Sequence, residues 1–340
     1  MKRVGKGAGL VVALAAAGLA LAACGGGTVN EAASSSAAPA PESSAAPAES
    51  SAAPAPADCG SWGVAMHAWV GYTASAQVLS DVAREKLGCD ITQTQLDEAG
   101  VTYDAMEAGS VDVIIEDWGG GRWAEWVDRG AIVEVGYNGN IGLIGMYVPQ
   151  WMCDEYPDIT DGTKLNEYAD LFKTPESGDK GAWLEGPPGY TTIGEKLIEA
   201  NGLNFKIINT GSEAALIEAF TKGNDNKEAV LGYFYEPQNF LAKVPLCRIN
   251  FPANDWTDAA KASGLTDYPE TPLVKLATVK LMDSGSPFAT LVQNFEWTNE
   301  DQNQVALDIE SGMTPEEAAQ KWIDANPDKV AAWLEGTGAS

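Results

Sequence analysis

From Trp62 to Trp118 the chain alternates short apolar runs with amphipathic stretches, and this alternation restricts the fold more than any other feature. WGVAMHAW reads as a buried strand. Ser75 is placed to cap a helix over SAQVLSDVAREKLG, with Val78, Leu79, Val82 and Leu87 on one face and Gly88 closing it. Cys89 to Leu96 reads as a second strand, Tyr103 to Ala108 as a short helix, and VDVIIEDW as a third, buried strand. A β-α-β-α-β series implies a parallel sheet covered on both faces, with ligands gathering beyond the carboxyl ends of its strands. Trp69 and Trp118 each fall at such an end. A core has no need of its largest side chain at a strand tip, so these two are read as facing a ligand.

A second unit with the same rhythm begins near Val148-Pro149. It runs through KGAWLEGPP, a helix from about Thr191 to Ala200, FKIINT, a helix from about Ser212 to Thr221, and the apolar strand AVLGYFYEP. A helix-rich tail follows, containing TPLVKLATVKLM, Asn299 to Ile309 and TPEEAAQKWIDANPDKVAAWL, each with one apolar stripe that needs a partner surface. The expected fold class is α/β, with two doubly wound lobes and a ligand cleft between them. Lobe I spans 59–148 and 246–340 and lobe II spans 149–245, so that hinge closure buries a small molecule.

Ahead of the lobes, Lys2, Arg3 and Lys6 precede a short Ala- and Gly-rich apolar stretch, which makes 1–23 a signal peptide and not a membrane span. Leu21-Ala22-Ala23-Cys24 resembles a bacterial lipobox, which implies lipidation of Cys24. Residues 24–58, rich in Ala, Ser and Pro, read as a disordered tether with a reach of roughly 30 Å. The expected location is the extracytoplasmic face of a bacterial membrane, reached through the lipid anchor alone.

The formal charge of −27 argues against nucleic acid and anionic lipid as partners and favours cations. With Cys24 set aside, Cys59, Cys89, Cys153 and Cys247 make an even number in an oxidising compartment, with no CxxC and one histidine, His67. Two disulfides are therefore expected and no metal. Of three connectivities, Cys59–Cys89 with Cys153–Cys247 is preferred, because each pair flanks one structural unit. The chain also lacks a G-x-S-x-G elbow, an H-E-x-x-H helix and a phosphate loop, and the adjacent Glu116 and Asp117 face opposite ways on a strand. No enzymatic activity and no cofactor are expected. His67, on an apolar strand, is read as a packed, hydrogen-bonded residue, and Trp123, Trp126, Trp322 and Trp333 as core.

Residues 61 to 335 resemble the substrate-binding proteins of bacterial ABC importers for glycine betaine, choline and proline betaine, of the type II periplasmic-binding-protein fold. Four landmarks carry the resemblance: Ala68-Trp69; Gly109-Ser110-Val111-Asp112-Val113 continuing to Trp118; Gly142-Leu143-Ile144-Gly145-Met146-Tyr147-Val148-Pro149; and Tyr235-Glu236-Pro237. The closing TPEEAAQKWIDANPDKVAAWL is also similar. The resemblance implies an aromatic box of Trp69, Trp118, Tyr147 and Tyr235 around a quaternary ammonium group, with Tyr233 as an alternate to Tyr235 by strand alternation. A trimethylammonium group has no N–H to donate, so ring faces must answer its charge, at about 0.5 to 2 kcal/mol each.

Relatives that read choline often carry an acid two residues after the first Trp, where this chain has Gly71. Betaine readers commonly have His after the aromatic-x-Pro, where this chain has Gln238, a candidate ligand contact. Thr191 and Thr192 in GPPGYTTIGEK either receive a carboxylate at a helix start or cap an ordinary Gly/Pro turn. Glu116 and Asp117 either add negative charge near the ammonium or end their strand in solvent or beside Arg122. The resulting expectation is a monomeric solute-binding lipoprotein that delivers a quaternary ammonium compound to an ABC permease. The alternative is a protein of the same fold for an amino acid or polyamine, which would line its cleft with acids in place of aromatics.

Overall fold

The computed structural model describes residues 58–98, 100–119, 121–252 and 257–339. The expected signal peptide, Cys24 and all of the tether but Asp58 lie outside the described residues. Among the described residues no helix is long and apolar enough to cross a membrane.

The first unit is β1 (Ser61–Met66), α1 (Val70–Leu87), β2 (Asp90–Gln95), α2 (Gly100–Glu107) and β3 (Val113–Asp117). A short helix, α3 (Ala124–Asp128), leads into β4 (Ile132–Pro149), an unusually long strand. After α4 (Gln150–Glu155) and two 3₁₀ stretches comes the second unit: β5 (Gly181–Glu185), α5 (Gly194–Ala200), β6 (Phe205–Asn209), α6 (Glu213–Asn226) and β7 (Gly232–Glu236). β8 (Leu246–Ile249) and β9 (Glu270–Thr278) complete the strands, and helices fill the remainder.

The two units have the same strand order. β1 lies between β2 and β3, parallel to both, and β5 lies between β6 and β7 in the same way. Each unit therefore switches winding direction at its first strand, which opens a crevice at the carboxyl ends. β4 and β9 join the units into one path, β2-β1-β3-β9-β4-β7-β5-β6, with β8 also on β4. The joining strands are antiparallel: β9 to both β3 and β4, and β4 to β7 and β8. The first part of β4 pairs with β9 and its last residues with β7 and β8, so this one strand runs from one unit into the other.

Three local expectations are corrected. The helix of the first unit starts at Val70, not after Ser75, because Ser75 turns inward to donate to Glu116 and to the Gly71 carbonyl. TPLVKLAT is not part of a helical tail but the central strand β9, with its last six residues buried; Val274 and Thr278 suit a pleated surface. The sheet is accordingly mixed where a wholly parallel one was expected. Other expectations hold: Gly88 ends α1 in the left-handed region at φ 68°, and Trp322 and Trp333 are buried and stacked with ring centroids 5.5 Å apart.

The helices at Asn299–Glu310 and Pro315–Ala325 pack on α1. Covered by sheet on one side and helices on the other, α1 is buried almost all round between Gly71 and Ala83. Its buried polar residues find partners: Gln77 donates to Asp81 at 2.9 Å, and Gln93 donates to Gln77 and Ser80 at 3.1 Å. The structure links Cys59 to Cys89 and Cys153 to Cys247, the first tying the start of β1 to the start of β2 and the second tying α4 to β8.

Candidate ligand site

Trp69 follows β1, Trp118 follows β3, Tyr190 follows β5 and Tyr235 lies within β7 near its end. These are equivalent places in the two units, the carboxyl ends of the first and third strands. Because the units face each other, the four rings and Tyr233 converge on one pocket. Trp69 meets Tyr190 edge-on with centroids 5.7 Å apart, Trp118 meets Tyr235 edge-on at 5.2 Å, and Tyr190 stands 6.0 Å from both Tyr233 and Tyr235. Glu98, Ile144 and Thr191 complete the wall. The rings lie so close that the cavity among them measures about 10 Å³, close to the ~10–15 Å³ that one water requires. A trimethylammonium group entering this site has to part the two units or turn the rings.

Glu116 orients the two indoles. Its Oε1 accepts from Trp69 Nε1 and from Trp118 Nε1, both at 3.0 Å, and its Oε2 accepts from Ser75 at 3.0 Å. Burial pushes the Glu116 pKa up, and these donors pull it back toward the ionised form. Glu116 and Asp117 are 1% and 2% exposed, so neither ends its strand in solvent. β3 is buried along its whole length, as VDVIIEDW reads, and the burial extends to its last two acidic residues. Asp117 accepts from Tyr103 at 2.5 Å and lies 3.7 Å from Arg122, the partner expected for it.

Arg122 also pairs with Glu98 at 2.6 Å. Burial raises the Glu98 pKa to about 7, with Arg122 opposing the shift. On the other side, Glu213 accepts from Tyr235 at 2.5 Å and from Gln238 at 2.6 Å, and its second oxygen receives Val70 N–H at 3.4 Å. The walls are therefore aromatic rings backed by carboxylates, an arrangement suited to a cation with no hydrogen to donate.

Not every expected residue lines the box. Tyr147 is buried on β4 opposite Gly232, three residues from Ile144 and hence on the other face of the strand. Tyr190 is the ring that completes the box in its stead. Gln238 sits behind Tyr235 and holds Glu213. Thr191 reaches the box, whereas Thr192 is exposed and lines an adjoining cavity. Their helix, α5, starts only at Gly194 and receives no side-chain cap. At Gly71 a Cβ would lie 2.3 Å from the side-chain amide nitrogen of Gln302, so any side chain there requires Gln302 to move. His67 is packed as expected, 3.1 Å from the Thr102 hydroxyl and against Trp69 and Tyr72, and burial lowers its pKa to about 3.

Sequence reasoning missed Tyr190 and Glu98. Tyr190 carried a usable signal, an aromatic in the Gly/Pro turn after a buried strand, at the place where Trp69 stands in the first unit. Glu98 carried none, because only the folded chain brings it and Arg122 together.

Two βαβαβ units of equal strand order, crossed by long antiparallel strands and enclosing a buried ring-lined pocket, define a solute-binding protein of the type II periplasmic-binding fold. Residues 63–325 match the family described as OpuAC, the substrate-binding domain of the ABC-type glycine betaine transport system, and the chain belongs to that family. It is 31% identical over 130 residues to the glycine betaine/carnitine transport binding protein GbuC of Listeria monocytogenes, a match covering 38% of this chain and 39% of the relative. It is 25% identical over 290 residues to the trimethylamine N-oxide-binding protein of Pelagibacter ubique, covering 77% of this chain and 87% of the relative. Among solved structures, lactococcal OpuAC in its closed, glycine betaine-bound form superposes with a TM-score of 0.67 at 20% identity, over 81% of this chain and 99% of that one. An ABC-transporter choline-binding protein in complex with choline superposes at 0.68 with 17% identity, over 83% and 94%.

Proposed function

We propose that this chain captures a fully N-methylated ammonium compound, glycine betaine, choline or a close relative, and delivers it to an ABC permease. The observation that carries the reading is the box itself: Trp69, Trp118, Tyr190, Tyr233 and Tyr235 facing one space, with Glu116 fixing both indoles. The names of the related proteins, which bind glycine betaine, carnitine, trimethylamine N-oxide or choline, support the same class of ligand.

In this reading Cys24 is the lipidated anchor, 24–58 the tether and the two βαβαβ units the lobes that open and close. Lobe I begins at 59 and leaves at about 148. Three contacts with the second unit support drawing the return crossing nearer 269 than the 246 expected from the sequence: Asn250 bridges Asp161, Phe251 packs on Trp183, and Tyr268 receives Ile193 N–H at 2.6 Å.

Titration calorimetry of residues 58–340 with glycine betaine, choline, carnitine, proline betaine and trimethylamine N-oxide, with tryptophan fluorescence in parallel, tests the reading. Binding with a fluorescence change is expected, and Trp69→Ala and Trp118→Ala should each weaken it by about 2- to 30-fold, the equivalent of one cation-π contact. Silence from the whole panel, or full affinity in both variants while folded by circular dichroism, refutes it. For the anchor, wild-type protein should partition into detergent and Cys24→Ser should not.

A further inference from the structure

Among the described residues that line the aromatic box, Glu98 is the one with a charged side chain. That side chain is 7% exposed. Its charge reaches across the box: burial raises the pKa of Tyr190 and of Tyr233 on the second unit, and Glu98 is among the charges that raise both further. Arg122 answers it only in part, because one guanidinium is shared between Glu98 at 2.6 Å and Asp117 at 3.7 Å. Glu116 behind the indoles and Glu213 behind Tyr235 add two more carboxyls, each held by neutral donors. Four carboxyls and one guanidinium thus stand in and behind the walls. Lys196 and Lys261 line an adjoining cavity and not the box. The residues of the body outside the described ones, Ala99, Gly120 and 253–256, include no Lys, Arg or His.

Resting on the proposed function, we infer that Glu98 decides which polar group the ligand carries beside its ammonium: the site takes a quaternary ammonium alcohol, of which choline is the simplest, and disfavours a betaine. Both kinds of ligand offer the same trimethylammonium group to the rings, so the rings do not tell them apart. The difference lies in the other end. A hydroxyl donates to a carboxylate in a charge-assisted hydrogen bond. A ligand carboxylate, one carbon from the nitrogen, stays inside the box with Glu98, and two like charges at close quarters in a desolvated space repel with no proton between them. The four-to-one excess of carboxyls over guanidinium turns the same preference outward, since no charge in the walls is left to neutralise a second anion.

Calorimetry at pH 8, above the value of about 7 to which burial raises Glu98, with choline, glycine betaine and ethyltrimethylammonium, on wild type and on Glu98→Gln, decides the matter. Wild type should bind choline about tenfold or more tighter than glycine betaine, with ethyltrimethylammonium, which carries neither polar group, in between. In Glu98→Gln choline should weaken and glycine betaine tighten, so that the two converge. A side chain that only supported the fold would weaken both. The wild-type ranking alone decides if Glu98→Gln does not fold. Glycine betaine equal to or tighter than choline, ethyltrimethylammonium weaker than glycine betaine, or a gap that survives in Glu98→Gln overturns the role of Glu98 and leaves the proposed function standing. Parallel losses for both ligands in the variant do the same. Silence from all three overturns that role as well, and silence from the whole panel of the preceding section refutes the proposed function with it.

Discussion

Both indole N–H groups in the box donate to one oxygen of Glu116, so the angle between Trp69 and Trp118 depends on a buried residue outside the pocket lining. Glu116→Ala leaves two buried donors unpaired, at a cost of about 1–3 kcal/mol each. Urea unfolding should show a loss of a few kcal/mol and calorimetry a fall in affinity, with Glu116→Gln losing less because its amide oxygen still accepts. Unchanged affinity in Glu116→Ala would mean that ring packing alone holds the box. Glu98 differs, because it lines the pocket and its pKa of about 7 lies in the working range. A bound cation favours the ionised carboxylate, so binding expels a proton below that pKa and affinity should rise from about pH 6 to about pH 8. Glu98→Gln should flatten the profile, and a profile that stays steep would exclude Glu98 as its source.

At the scale of elements, the box depends on how closely β4 can approach. Gly142 lies beneath the indole of Trp118, where a Cβ would sit 2.6 Å from Cζ3 and 2.9 Å from a Leu273 methyl. Gly142→Ala should push Trp118 out of line, lowering stability by about 1–3 kcal/mol as overpacking does and weakening ligand binding. A melting temperature and affinity equal to wild type would show that the strand yields. The start of α1 is tied across the site, since no side chain of its own caps it and Glu213 at the head of α6 receives Val70 N–H. That same carboxylate holds Tyr235 and Gln238, which explains why Gln238 serves the wall from behind. Trp69 and Trp118 were legible because a buried strand announces its own end. Tyr147 misled because a motif gives position along β4 but not which face looks inward.

At the scale of the molecule, the Cys153–Cys247 link spans 94 residues and joins α4 to β8 across the whole second unit. A closed loop of that length is worth about 4–5 kcal/mol in unfolded-chain entropy, against about 3–4 for the 30-residue Cys59–Cys89 loop. Replacing Cys153 and Cys247 by Ala should therefore cost more stability in denaturant than replacing Cys59 and Cys89. The reverse order would point to the first bridge as the greater restraint on native geometry, close as it is to Trp62 and Ser286.

The βαβαβ rhythm of both units, the strand-end tryptophans and the even set of cysteines could be read from the sequence, because periodicity and turn residues act over a few neighbours. Tertiary structure alone decided what depends on distant partners. TPLVKLAT became a strand because β3 and β4 lie on either side of it, and α1 was buried all round because the C-terminal helices cover it. Glu98 joined the pocket wall, and Tyr190 replaced Tyr147, because strand facing and the meeting of two units fix which side chains share a space. Local free energies in the sequence do not encode that placement until the sheet has formed.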